Sequence, residues 1–172
     1  MIIYGRMGVC RVEGIEDREG QPYYRLQTLY QECTIHTPVN GSTFMRPVLT
    51  RAEADALIDS IPSVPVRPAE CRAARELTSR YLESMNTCDA AEVLAMTMSI
   101  YAKKKRAEKD SRKFGAVDER FLREGEAVLH AELGVSLGIP PKAVPKYIRR
   151  RLAGKAGDGH VPAAAEDAGD HD

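Results

Sequence analysis

The densest chemistry-bearing feature of this sequence is cationic. Lys103-Lys104-Lys105-Arg106 leads into Lys109, Arg112 and Lys113, opposed only by Glu108 and Asp110, and Arg120 and Arg123 follow closely. Two helix ends and their connection would gather these side chains on one positive surface. Such a surface attracts phosphates through charge and counterion release, largely without reading base sequence. The plainer role of the same residues is a solvated helix end, where Lys and Arg complement the C-terminal dipole. A second run, Arg149-Arg150-Arg151 beside Lys146, has similar character.

Other chemistry is sparse. The four cysteines (Cys10, Cys33, Cys71, Cys88) include no C-x-x-C pair, and His36, His130, His160 and His171 are scattered. A zinc site needs four clustered ligands, usually as two close pairs, so no metal is expected and the cysteines read as reduced small hydrophobes. A Cys33–His36 dyad is the one arrangement resembling nucleophilic catalysis. Residues three apart on an alternating strand point to opposite faces, which separates that pair. The chain holds no G-x-S-x-G, P-loop, H-E-x-x-H or G-x-G-x-x-G. Paired carboxylates such as Asp118-Glu119 and Glu124/Glu126 fall on helix starts or faces. No catalytic constellation stands out.

The net charge of zero, 25 basic against 25 acidic residues in 172, conceals a division. Residues 1–50 carry five of each sign, and residues 51–100 carry five basic and eight acidic. Residues 101–152 carry fourteen basic and seven acidic, whereas residues 153–172 carry one and five. Neutrality therefore cancels a +7 helical region against −3 in residues 51–100 and a −4 tail that could compete for it. The 43% apolar content is enough for a core. No apolar run has transmembrane length, and Met1-Ile2-Ile3-Tyr4-Gly5-Arg6 lacks signal-peptide architecture, so a cytoplasmic protein is expected.

The elements that must position these charges fall in two halves. Residues 9–15, 23–29 and 33–38 alternate as short strands with turn residues between, spaced as in a small antiparallel barrel. At Thr50-Arg51-Ala52-Glu53 a capping box opens a helix burying Ala54, Leu57, Ile58 and Ile61. Three prolines within 62–68 mark a stiff spacer. Helical periodicity follows: Leu77, Tyr81, Leu82 and Met85, with Ala74, on one helix; Val93, Leu94, Ile100 and Tyr101 on the next; then Phe121, Leu122, Val128, Leu129 and Leu133 on one begun by Asp118. Pro140-Pro141 precedes a last short helix, and residues 153–172, Gly/Ala/Asp-rich, read as disordered. The fold class is α+β: 1–48 a β-barrel, 49–68 helix and linker, 69–152 a helical bundle, 153–172 a tail.

In order and spacing, residues 2–152 resemble the CarD-like family of bacterial transcription regulators. The resemblance rests on Ile3-Tyr4-Gly5-Arg6-Met7-Gly8-Val9-Cys10-Arg11-Val12, Ile15-Glu16, Tyr24-Arg25-Leu26 and Ile35-His36-Thr37-Pro38-Val39. Met45-Arg46-Pro47-Val48-Leu49-Thr50, the helix through Ile61-Pro62 and Asp118-Glu119-Arg120-Phe121-Leu122 extend it. It implies a Tudor-like barrel, shared with the transcription-repair coupling factor, that docks on the RNA polymerase β subunit. It implies too a helical domain that contacts promoter DNA at the upstream bubble edge and stabilises the open complex. Carried over by position, Arg18, His36, Tyr24 and Arg25 become polymerase contacts, with His36 replacing an arginine found in some members. A histidine, mostly neutral at pH 7, cannot make the bidentate fork an arginine makes. For Tyr24 the barrel core is the stronger alternative. Arg72, Arg75, Arg80, Lys103, Lys104, Lys105, Arg106, Lys113, Arg120 and Arg123 become the DNA-facing set. The resemblance implies no cofactor, no small-molecule substrate and no membrane, and nucleoid association through polymerase. Two departures stand out. The chain has no tryptophan for the family's bubble-edge wedge, the matching stretch reading Cys71-Arg72-Ala73-Ala74-Arg75, and its start is several residues shorter than the family's. DNA contact without that wedge would be electrostatic and salt-dependent. The competing reading is a protein-binding module whose helical half meets another protein.

Overall fold

A computed structural model describes residues 1–30 and 32–158, with side chains through Lys155. Five antiparallel strands lead the chain: β1 (Ile2–Tyr4), β2 (Gly8–Arg18), β3 (Gln21–Thr28), β4 (Thr34–Pro38) and β5 (Met45–Pro47). Their spatial order is β4-β3-β2-β1-β5. The expected barrel is corrected to an open sheet, because β4 and β5 end it as edges and do not pair with each other. The first strand and the last are only three residues long, too short to carry the register around to closure.

The β2–β3 hairpin turns at Glu19-Gly20, both with positive φ (54° and 80°), and Asp17 accepts the Gly20 N–H at 3.0 Å. A bulge between Val12 and Gly14 shifts the register, so Cys10, Val12 and Ile15 share one face with Tyr24, Leu26 and Thr28. Cys10 and Leu26 are fully buried on that face, whereas Ile15 is 62% exposed at its far end.

Five helices follow: α1 (Arg51–Ser60), α2 (Ala74–Asn86), α3 (Ala90–Lys109), α4 (Ala116–Leu137) and α5 (Val144–Asp158). The capping box forms as read. Thr50 accepts the Glu53 N–H, and Glu53 accepts the Thr50 N–H at 2.7 Å. A core of Leu77, Tyr81, Met85, Val93, Leu94, Ile100, Phe121, Leu122 and Leu129 joins α2, α3 and α4. Ala74 departs from its expected place on that face and is exposed, as is Tyr101 at 42%. A second cluster, Ala54, Ile58, Leu133, Leu137 and Val144, packs α1 and α5 on the end of α4. Each fully buried Leu, Ile or Phe here contributes about 1.5–3 kcal/mol. Gly125 permits the α3–α4 approach, since a Cβ there would lie 2.5 Å from Thr97 Oγ1.

Three further expectations change. The proline-rich spacer runs along the bundle: Val64, Ala69 and Cys71 pack against its core, and the Arg67 N–H donates to Ser99 Oγ at 3.0 Å. Asp118 does not begin its helix. Gly115 takes the N-cap position, and Asp118, in the first turn, turns inward. Residues 153–158, expected disordered, continue α5, where Lys155 Nζ reaches Asp59 at 2.6 Å. Residues 159–172 of that tail lie outside the described residues.

One ion pair fastens sheet to helices. The Arg46 guanidinium on β5 grips both carboxylate oxygens of Glu132 on α4, with Nη2 donating to Oε2 at 2.8 Å. Arg46 Nε donates to the Cys88 carbonyl at 2.8 Å, and Glu132 accepts the Leu49 N–H at 3.0 Å. Ile3, Val9 and Cys88, with Leu29, Val48, Ala131 and Val135, form an apolar cluster across the same seam. The hydrogen bond to Glu132 raises the Arg46 pKa further above its ordinary value.

Two measurements follow. Replacing Glu132 with Ala leaves the Arg46 charge in the seam without its partner, which should cost about 3–5 kcal/mol. Urea unfolding reads that loss, and a change below about 1 kcal/mol, the scale of a surface pair, would contradict it. At the α1–α5 junction, hydrogen bonds from Arg151 (2.7 and 2.8 Å) and then Lys155 hold Asp59 well below the usual carboxylate range. A depressed pKa gives stability that is complete above about pH 4, the unfolded value, and is lost as pH falls through the folded value. Melting temperatures recorded from pH 5 downward should therefore fall more steeply for the natural chain than for Asp59→Asn.

Candidate functional site

Two charged surfaces could serve a function. The first is an end of the helical half. α3 ends at Lys109 and turns back through residues 110–115 into α4, so the end of α3 lies beside the start of α4. The start of α2 comes to the same end, because Arg106 pairs with Glu70 at 3.1 Å and Lys103 Nζ donates to the Ala69 carbonyl at 3.1 Å. Arg72, Arg75, Lys104, Lys105, Arg106, Lys113 and Arg120 thus converge, with Arg80 about 7 Å beyond Arg75 on α2 and Arg123 about 5 Å beyond Arg120 on α4.

Within this set the side chains differ in what they are free to do. Lys103 is the correction. Its side chain is only 17% exposed and its ammonium lies 2.8 Å from Asp118 Oδ1, which also accepts the Tyr81 hydroxyl. That buried triad ties α2, α3 and α4 and raises the Tyr81 pKa far above its ordinary value, burial first and the Asp118 hydrogen bond second. Lys103 is therefore a largely buried cation whose ammonium is already held by Asp118 and the Ala69 carbonyl. Arg80, Lys105, Arg106 and Arg120 pair with Glu76, Glu108, Glu70 and Glu124. Exposed pairs of this kind are worth about 0–1 kcal/mol, so a phosphate can displace the carboxylate. Among the described residues, Arg72, Arg75, Lys104, Lys113 and Arg123 join no ion pair. All but the half-buried Lys104 are exposed.

The Arg149–Arg151 run divides likewise. Arg151 is drawn onto α1 by Asp55 (3.2 Å) and Asp59, while Arg149 and Arg150 stay exposed.

The second surface is one face of the sheet. Register places Arg25 directly opposite His36 on β4 and Gly14 on β2. Arg25 Nη1 reaches Glu16 at 3.0 Å and Nε lies 3.3 Å from Glu13, the latter without hydrogen-bond alignment. His36 Nδ1 lies 3.5 Å from Glu16 and Arg18 Nη2 lies 3.8 Å from it. Arg18, Arg25 and His36 are thereby gathered around two carboxylates. Tyr24 is not among them: strand alternation sends it to the opposite face, beside Ile15.

Cys33 is exposed and precedes β4, on the other side of the sheet from His36, so the two form no dyad. Among the described residues no group of three or more His, Cys, Asp or Glu is placed to hold a metal ion. None of the described helices is long and apolar enough to cross a membrane. Compared with protein-family models and with curated proteins, the chain matches none.

Sequence reading passed over Arg46 and Glu132 as a pair. The usable signal was Glu132 itself, a carboxylate set between Leu129 and Leu133 on an apolar helix stripe. Asp118 carried the same signal three residues before Phe121.

The division among the lysines is directly measurable. Lys103→Ala strands Asp118 and Tyr81 in the core and should cost about 3 kcal/mol. Lys113→Ala should change stability by no more than about 0.5 kcal/mol. Equal losses in urea unfolding would mean that Lys103 is a surface residue after all.

Proposed function

We propose that the chain is a CarD-like transcription regulator. In this role its sheet docks on the β subunit of bacterial RNA polymerase and the basic helix end meets promoter DNA, stabilising the open complex. The observation that carries the DNA half is the gathering of Arg72, Arg75, Lys104 and Lys113 at one end of the helices, with Arg123 one turn farther along α4; among the described residues no ion pair holds these five. Those side chains offer phosphates several mobile cations and no apolar wedge, so the contact is electrostatic and reads no sequence.

The polymerase half is supported by the family resemblance of residues 2–50 and by the cluster of Arg18, Arg25 and His36 on one sheet face. In this reading the open sheet takes the place of the family's Tudor-like barrel. Tethering by that face raises the local concentration of the helical end at DNA, so a weak phosphate surface is sufficient. Association with the nucleoid through polymerase follows from the same arrangement.

The test has two arms. At low salt and micromolar concentration the purified chain should co-elute with the polymerase β subunit, and Arg25→Glu should abolish that; failure of the natural chain to co-elute refutes the polymerase role. On a promoter fork, open-complex lifetime should shorten in the triple variant Arg75→Glu, Lys113→Glu, Arg123→Glu. The salt slope of DNA binding should become shallower by about 0.9 for each phosphate that the variant no longer neutralises. Unchanged lifetime with intact co-elution would assign the helical end to a protein partner instead.

A further inference from the structure

A cleft of about 460 Å³ opens where α1, α3, α4 and α5 meet, lined by none of the residues that make up the two charged surfaces above. Its walls are aliphatic: Leu57 and Ile61 from α1 and the turn after it, Leu94 and Met98 from α3, Leu133 from α4 and Ile148 from α5. Met98, Leu57, Ile61 and Ile148 are only half-buried, so the fold leaves this apolar surface incompletely covered. The volume falls within the roughly 300–1,000 Å³ of small-molecule sites, which combine apolar walls with a few polar groups.

The polar groups stand at the rim. On the α5 side is Arg149, exposed and in no ion pair among the described residues, flanked on its helix by exposed Lys146 and Arg150. On the α3 side Tyr101 is 42% exposed, and Lys105 Nζ lies 5.3 Å above its ring. His130 and Glu126 complete the α4 rim, and burial lowers the His130 pKa below its ordinary value. Glu126 is the single carboxylate in the lining. An apolar trough with cations along its α5 rim is complementary to a molecule with a flexible hydrocarbon body and one anionic head.

We propose that this cleft binds a medium-chain fatty acid, its acyl chain along Leu94, Met98, Leu133 and Ile148 and its carboxylate paired with Arg149. The charge-assisted hydrogen bond to the guanidinium fixes orientation, and displacement of water from the aliphatic walls supplies most of the affinity. Because the site touches four helices, occupancy stabilises the folded chain by mass action and raises its melting temperature. The residues lining this cleft, Arg149 among them, are assigned to neither polymerase nor DNA, so the site stands or fails independently of that role.

The experiment titrates the full chain with submicellar dodecanoate, following heat and melting temperature. One saturable site and a rise in melting temperature are expected. Arg149→Glu should weaken binding about tenfold, the equivalent of 1.4 kcal/mol, and Met98→Trp, which fills the trough, should abolish it. Dodecyltrimethylammonium, with the same chain and the opposite charge, should bind at least about tenfold more weakly, by the same measure. Should Met98→Trp fail to fold, the exposed Arg149 variant and the cationic analogue still decide the matter. Absence of saturable dodecanoate binding overturns the proposal, as does equal affinity for the two head groups. A concentration-dependent dimer of the unliganded chain, dissolved by Met98→Trp, would show that a second copy covers the cleft and would overturn it equally.

Discussion

The arrangement of this protein depends on the fork between Arg46 and Glu132. A three-residue edge strand has little to hold it on a helical bundle, and β5 offers one side of its backbone to β1 alone. The guanidinium supplies the missing attachment by reaching the α4 carboxylate and the Cys88 carbonyl together, while the same carboxylate takes the Leu49 N–H. Sheet edge, entry to α1, the α2–α3 connection and α4 therefore meet at one charge pair. Cys88 is held there with φ at 54°, a left-handed value unusual for a residue with a side chain. The apolar seam of Ile3, Val9, Val48 and Ala131 lies beside that pair, whose Glu132 is buried while Arg46 keeps part of its surface in solvent.

A second buried pair does for the helices what the first does for the seam. Asp118 stands in the first turn of α4, where the helix dipole favours a negative charge, and it draws in Lys103 from α3 and Tyr81 from α2. One lysine is thereby taken out of the basic run. Lys103 lies on the side of α3 that continues the buried stripe of Val93, Leu94, Met96 and Ile100, and Lys105 and Arg106 are exposed.

Much of the fold was legible in local pattern. The capping box at Thr50 and Glu53 depends on four consecutive residues, and the apolar stripes of α2, α3 and α4 depend on spacing alone, so both could be read directly. Long-range choices could not. Whether short strands close into a barrel is decided by which edges find partners, and β1 and β5 are too short for their own sequence to announce that. The prolines of 62–68 marked the end of α1, but Pro62 lies in a 3-10 turn over Ile61–Ser63 and only the chain beyond it leaves helical geometry. Their pattern says nothing about whether that chain leaves the bundle or lies along it. Of the site, the basic character of the helix end was visible and the division of labour within it was not. Lys103, Lys104 and Lys105 are identical in type and adjacent, and only the position of Asp118 fifteen residues after Lys103 distinguishes them. The acidic residues inside apolar stripes, Asp118 and Glu132, were the overlooked signs, because a carboxylate in such a place must have a cation brought to it.

The docked course of residues 61–71 bears on how two weak surfaces act together. If those residues formed a free linker, the gain from tethering would be set by chain length and would tolerate a wide range of target geometries. Here the segment is bonded to Ser99 through Arg67 and to Lys103 through Ala69, and the sheet is locked to α4. The sheet face bearing Arg25 and the helix end bearing Lys113 consequently keep a fixed relation. A fixed relation avoids the entropy of ordering a linker when both surfaces engage, and it makes the second contact selective for geometry. Phosphates carry no sequence information, so in the proposed role discrimination must come from where the rigid body places its cations. The zero net charge of the whole chain suits that logic: the local cations are sufficient once the protein is held in place, and the remainder contributes little general attraction to nucleic acid.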